Sequence, residues 1–500
     1  MEGKTLLGQF LCYLGKVKPI FSDKRVRRHV CEMGVASMAA ATPKTITSLI
    51  EFNARHGSPE LNHDNWSASY KVLSHSKWKT DELSWVLFDN ALQFVRGNSP
   101  VILAVDDTLH RKTGKKVAGC AYARDPLSPP FQANLVWGQR MLCVSMLVRS
   151  SATSAYRSLP LFYQHSPVLK IAKKELDGLK RELKELEEEQ KRLKDAPDVR
   201  GAKIGTLTDR IATLNKRKKE LNGELSTFME QRKKSRISAV ARDVIGKIRN
   251  YLDGRGQKNR QIIVCADGSF ANRAFLYDVP HDTLMVCRCR NDLRLVRPLS
   301  EEEKTGKRLY GEQLPTPEMM HRDAGVAECS LECGVMHQHA SVTYKSMQNV
   351  RWPTALKNQP CSIYAIKGQY YRKYGNTQHT HPAFLVVTGN IGAAGVTPET
   401  LLEAYLLRWE IEVGFRDQKN WLGIGKAQVR NESSVKRTPA FMSACYSMLL
   451  MSSMKVFDDK RTEDFAPLPK WRNIAPLRPS IRDLVSLLRA EVIGIGSIPA

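Results

Sequence analysis

Five hundred residues carry 77 Lys and Arg against 51 Asp and Glu, a formal charge of +26, and 42% of the chain is apolar. The apolar share is that of a folded protein and excludes a disordered basic tail, while the length exceeds what one hydrophobic core usually organises. Such an excess of cations calls for an anionic partner, nucleic acid ahead of a membrane surface, because each phosphate neutralised by Lys or Arg releases a condensed counterion.

Eleven cysteines, an odd number spread over the whole length, make poor material for a disulfide framework and suit a reducing compartment. The longest apolar stretch, 440–454, is shorter than the roughly 20 residues a hydrocarbon layer needs, so it reads as a buried helix. The apolar start, broken by Gln9 and followed by Lys16 and Lys18, has no small-residue cleavage pattern. A cytoplasmic, nucleoid-associated protein with no membrane partner is the expectation.

In chain order, residues 1–94 read as a helical, basic DNA-binding domain. Ile46, Leu49, Ile50 and Phe52 keep a helical period, a basic run occupies 24–28, and Trp66, Tyr70, Trp78 and Trp85 are interleaved. An α/β core begins at 95. VILAVDDT (101–108) is a buried-strand run closing on Asp106 and Asp107, and 141–148 is a second such run. Residues 168–250 interrupt this core with rows of Leu and Ile at three- and four-residue steps on both sides of a turn at 195–198, which predicts a helical hairpin forming a coiled coil. The run 261–269, QIIVCADGS, is a third buried strand ending at Asp267 and completes the first part of the core, 95–278. Short β-rich pieces over 279–398 predict a β-rich insertion domain. Residues 399–458 hold the second part of the core, with helices over 399–422 and 439–456, and 459–500 form a basic tail with a short helix near 481–491.

An aspartate at a strand end commonly serves as a turn or cap residue, so neither strand singly marks chemistry. The helix over 399–422 is more selective. At about 100° per residue Tyr405, Arg408, Glu412 and Lys419 share an arc of roughly 60°, whereas Glu410 and Asp417 project to the opposite side. Glu412 is therefore chosen over Glu410, which should be dispensable.

These residues carry a resemblance. Tyr405-x2-Arg408-x3-Glu412-x6-Lys419 resembles the signature of the YREK group of bacterial insertion-sequence transposases, and VDDT (105–108) and ADGSF (266–270) are similar to that family's first and second aspartate motifs. The resemblance implies an α/β fold with a ribonuclease H-like mixed-sheet catalytic core and a DDE triad, Asp106, Asp267 and Glu412, that is both catalytic and metal-binding. Mg²⁺ would be the cofactor, with Mn²⁺ able to substitute, since hard cations take oxygen ligands. The Asp-x-Thr spacing to Thr108 picks Asp106; Asp107 stays in reserve, because Ile102 and Ala104 on one face and Leu103 and Val105 on the other are equally apolar. Tyr405, Arg408 and Lys419 would contact DNA, so Arg408→Ala and Lys419→Ala should weaken DNA binding and leave the metal site intact. The implied activity is cleavage of double-stranded DNA at terminal inverted repeats and joining of the ends to target DNA, by a homodimer on paired ends. The alternative is a catalytically silent, transposase-derived DNA-binding or DNA-bridging protein. Cys329, Cys333, His337 and His339 depart from the usual zinc-ligand spacing and read as ordinary residues, and His110 reads as a local hydrogen-bonding group.

Overall fold

A computed structural model describes residues 4–40, 44–58, 66–125, 128–129, 131–132, 134–151, 155–166, 173–194, 203–304, 308–335, 338–373, 376–389, 395–472 and 476–496. Helices α1 (Leu6–Val17), α2 (Lys24–Ala39), α3 (Ile46–His56), α4 (Trp66–Ser74) and α5 (Thr80–Leu92) come first. Thr5, Asp23 and Thr45 start α1, α2 and α3 by accepting first-turn backbone N–H groups on their side chains. Strands β1 (Val101–Arg111), β2 (Ala121–Arg124), β3 (Leu135–Arg149) and β4 (Tyr156–His165) follow, then the hairpin helices α6 (Lys173–Lys194) and α7 (Lys203–Lys234), and α8 (Ile237–Gly254). The chain continues through β5 (Ile262–Ala266), α9 (Arg273–Leu276), β6 (Thr283–Arg288), β7 (Leu295–Val296), β8 (Gln313–Leu314), α10 (Pro317–Arg322), β9 (Cys329–Val335), β10 (Gln338–Arg351), α11 (Pro353–Leu356), β11 (Pro360–Ile366), β12 (Tyr370–Lys373), β13 (Asn376–His379) and β14 (Ala383–Thr388). It ends with α12 (Pro398–Leu407), α13 (Trp409–Asn420), α14 (Glu432–Phe457) and α15 (Ile481–Ile495).

One mixed sheet organises the molecule, in the order β2-β3-β1-β5-β6-β14-β11-β10-β7-β8, with β4 also on β3 and β9 on β10. β1, β3 and β4 form an antiparallel meander, while β5 and β6 run parallel to β1. β1 and β5 are nearly continuous apolar runs because helices cover both of their faces. One face packs with α8 and α14, and the other receives α12 and α13.

Strands of 279–398 do not all stand apart from this sheet: β6 pairs parallel with β5, β14 pairs antiparallel with β6, and β11 and β10 follow outward, while β12 and β13 pair in a two-stranded sheet of their own. The open edge of β5 needs a partner for its backbone groups, and the apolar strand 283–288 supplies one. Nor do the helices of 1–94 stand apart. α1, α2, α4 and α5 pack on α14 in one continuous core. The tail returns to meet them, with the Glu491 carboxylate accepting the N–H groups of Leu6 and Leu7 at 3.2 and 2.5 Å and Arg489 donating to Ala39 O at 2.7 Å.

α14 is long and apolar enough to cross a membrane, but 83% of its apolar window is buried inside the protein. The predicted helical hairpin is present as α6 and α7, largely solvent-exposed and tied by Arg217–Glu182 at 3.0 Å and Lys218–Glu187 at 3.2 Å. Its turn at 195–198 lies outside the described residues.

Candidate active site

Which aspartate of β1 faces the helices is settled by packing. Ala104 joins Met141, Cys143, Leu407, Ile411 and Phe415 in a cluster under α12 and α13, whereas Leu103 and Val105 belong to the core on the opposite face. Side chains alternate along a strand, so Asp106 points with Ala104 toward α13, and Asp107 points away. The same alternation applies to β5, where Ile263 and Cys265 pack toward α12 and Asp267 follows them. Val105 and Ala266 are the last register partners of the two parallel strands, so Asp106, midway along β1, and Asp267, just past the end of β5, lie side by side.

Asp106 accepts the Asp107 N–H at 2.7 Å and lies 3.4 Å from Arg408 Nη1. Burial, and then the negative charge of Asp267, push its carboxyl up to about 7, against the pull of the Asp107 N–H and Arg408. Asp267 accepts from the Ser269 N–H and hydroxyl at 2.9 and 2.6 Å, so one of its oxygens does cap the turn after β5. Glu412 enters through Arg408, whose Nη2 donates to its carboxylate at 2.9 Å. A single guanidinium thus spans Asp106 and Glu412. Asp107 is held separately, taking both Arg140 Nε and Nη2 at 2.7 and 2.8 Å.

The helix expected over 399–422 is broken. Arg408 terminates α12 and precedes α13, its N–H donating to Tyr405 O while its own carbonyl accepts from Ile411 N–H. The four polar residues still gather. Arg408 sits 5.9 Å from the Tyr405 ring centroid, and burial pushes the Tyr405 hydroxyl up to about 12 although Arg408 and Arg288 oppose it. Burial and nearby Arg111 lower the Lys419 ammonium, while Asp106 and Asp107 act to raise it, which places Lys419 on the carboxylate side. On the far side of α13, Glu410 receives Arg478 at 3.0 and 2.9 Å, and buried Asp417 pairs with Arg416 at 3.3 Å. Arg408 therefore lies within the acidic centre, while Glu410 is engaged in an ion pair away from it.

Arg140, Arg111 and Arg288 were absent from the sequence reading. Arg140 meets Asp107 diagonally across β1 and β3, and no local spacing reveals a pairing that depends on strand register. His110 is fully buried, with Nε2 and the Tyr163 hydroxyl 2.8 Å apart, and burial holds it well below its usual range, hence neutral. Gly425, at φ +98°, lies so close to that imidazole that a Cβ would come within 2.6 Å of it, and Lys112 donates to its carbonyl; the loop after α13 is thereby pinned to the end of β1. Thr108 is buried on β1. Of the possible zinc set, Cys329 is exposed on β9, and His337 lies outside the described residues.

Two carboxylates that repel one another, with a cation already spanning one of them and a third, offer oxygen donors of the kind a hard divalent cation takes. Among the described residues no three His, Cys, Asp or Glu side chains are close enough to share one ion, consistent with Arg408 standing between Asp106 and Glu412.

The mixed α/β sheet, with carboxylates on adjacent strands and a helix laid over them, fits an α/β nuclease fold. Residues 19–184 match the family model of DDE superfamily endonucleases, which supports a DDE-type transposase or endonuclease. The matched third runs from just after α1 into α6 and contains Asp106 and Asp107; β5 and α13 lie beyond it. No curated protein matches the chain.

Proposed function

We propose that this protein is a DNA transposase of the YREK kind, which cleaves double-stranded DNA at the terminal inverted repeats of its insertion sequence and joins the ends to target DNA. The observation that carries the reading is the meeting of Asp106, Asp267 and, through Arg408, Glu412 where β1 and β5 part under α13. The β4-β3-β1-β5-β6 order, an antiparallel meander followed by two parallel strands, supports a ribonuclease H-like core. The +26 charge supports a DNA partner.

In this reading Asp106, Asp267 and Glu412 hold Mg²⁺, which Mn²⁺ can replace, and Asp107 serves β1 through Arg140. Bound metal would supply Lewis-acid stabilisation of the attacking and leaving phosphate oxygens. The chain's own cations do the positioning: Arg408 offers a planar fork that matches a phosphate, and Lys419 offers a point charge beside it. Tyr405, with its hydroxyl held protonated, orients the Arg408 guanidinium and can donate to DNA. The assembly that works is a homodimer on paired ends, with the α6–α7 hairpin a contributor to it, in a cytoplasmic, nucleoid-associated setting.

The test is Mg²⁺-dependent nicking of duplex DNA carrying the element's ends by the wild type and by Asp106→Asn, Asp267→Asn and Glu412→Gln, each checked for unchanged melting. All three should lose at least a hundredfold in rate, on the order of what removal of one key catalytic group costs. An inactive Asp107→Asn beside an active Asp106→Asn would exchange the two roles. Wild-type protein that binds the ends and cuts nothing would favour the silent DNA-binding alternative.

A further inference from the structure

A second cationic feature lies far from the carboxylates. The connection from β7 to β8 and the end of β10 enclose a cleft of about 480 Å³, lined by Lys304, Arg308 and Arg351 together with Asn349, Asn358 and Glu301. Glu301 is already held by Lys304 at 2.5 Å. Arg351 is half-buried and makes its hydrogen bonds only to neutral oxygens, Asn349 O and Oδ1, Val350 O and Asn358 Oδ1. Arg308 donates to the Tyr310 carbonyl. Neither arginine has a carboxylate partner among the described residues. Two guanidiniums in one concavity without counter-charge repel each other, an arrangement that an anion relieves.

The walls are built. Arg297 holds Glu303 at 2.7 Å through both nitrogens, Glu303 also accepts the Ser300 N–H, and these bonds bring the Glu303 carboxyl down to about 2. On the facing side Asn349 adopts φ +54°, a left-handed conformation that Asn tolerates better than most residues and that turns its side chain onto Arg351.

We propose that this cleft binds a backbone phosphate of the DNA duplex whose cleavage the carboxylates perform. The proposal rests on the DNA reading above and adds a grip that reading does not contain. β7 is six strands from β1 in the sheet, roughly 30 Å at about 4.8 Å per strand, close to one turn of duplex at about 34 Å. Across the sheet the two places are therefore about one duplex turn apart. Phosphate is the fitting group because a planar guanidinium matches two of its oxygens, with the Asn amides as neutral donors beside it.

The experiment uses the full chain and a fluorescently labelled random-sequence duplex of about 25 base pairs, long enough to span both places at about 3.4 Å per base pair. Dissociation constants are read at several salt concentrations for wild type, Arg308→Gln, Arg351→Gln and the triple variant with Lys304→Gln, with Lys258→Gln as a control on the remote turn after α8. Each arginine substitution should weaken binding and lower the salt slope by about one, the triple variant by two to three, and the control should match wild type. An unchanged slope in the triple variant, with wild type still binding, overturns the cleft and leaves the DNA reading standing. Failure of the wild type to bind any duplex overturns both. If Arg351→Gln melts early, exposed Arg308→Gln alone decides, since its side chain holds only one backbone carbonyl.

Discussion

Arg408 is the residue on which the acidic centre turns. Its guanidinium lies within 3.4 Å of Asp106 and 2.9 Å of Glu412 with only 13% of its side chain exposed, so it screens carboxylates that would otherwise repel across a poorly solvated gap. Arg408→Ala should cost about 1–3 kcal/mol of stability in metal-free buffer. Millimolar Mg²⁺ should then raise the melting temperature of the variant more than that of the wild type, because the ion restores the lost positive charge. Equal shifts in the two proteins would mean that the arginine and the ion do not answer the same carboxylates. The pH dependence follows from Asp106. Its folded-state carboxyl titrates near 7, above about 3.9 for an unfolded Asp, so between those values the folded chain keeps a proton that the unfolded chain has released. Stability should therefore fall as pH rises from about 4 to 7, and Asp106→Asn should flatten that decline, as read from denaturant midpoints across the range.

At the scale of elements, α13 is fixed on two sides. Ile411 and Phe415 seat it on β1 and β3, and Arg478 from the C-terminal segment grips Glu410 on its outer face. The wheel puts Glu410 opposite Glu412 but sees a helix alone, not the partner that arrives from 68 residues later. With both partners of this pair at most 16% exposed, Glu410→Ala leaves a guanidinium largely buried and should cost about 1–3 kcal/mol. A double-mutant cycle with Arg478→Ala should show a coupling energy well above zero. The break at Arg408 has a similar origin. Tyr405 and Leu406 pack on a different cluster of the sheet from Leu407, Ile411 and Phe415, and the helical path changes cluster at the break.

Across the whole molecule the two ends of the chain close one body. Arg157 on β4 is buried with Asp459, at 2.7 and 2.9 Å, and also donates to Pro479 O, while Leu484, Leu488 and Val492 of α15 enter the same core as α1 and α2. Asp459→Ala removes the one carboxylate bonded to the buried Arg157 guanidinium among the described residues. It should cost about 3–5 kcal/mol in a cooperative unfolding transition that includes the N-terminal helices. A loss confined to fraying of the tail would show that the ends are not one cooperative unit.

The amino-acid sequence by itself determined the strands carrying Asp106 and Asp267, the helical hairpin, and the common side of Tyr405, Arg408, Glu412 and Lys419. Apolar runs and helical period are local, and burial on one face or two is written into them directly. The tertiary structure alone decided that Asp106 and not Asp107 faces α13, that Arg408 lies between the carboxylates, that Arg140 occupies Asp107, and that strands of 279–398 extend the sheet. Each of these depends on which face a distant helix covers or which edge a distant strand takes. Both faces of β1 are apolar in sequence, so only packing between remote segments could distinguish them.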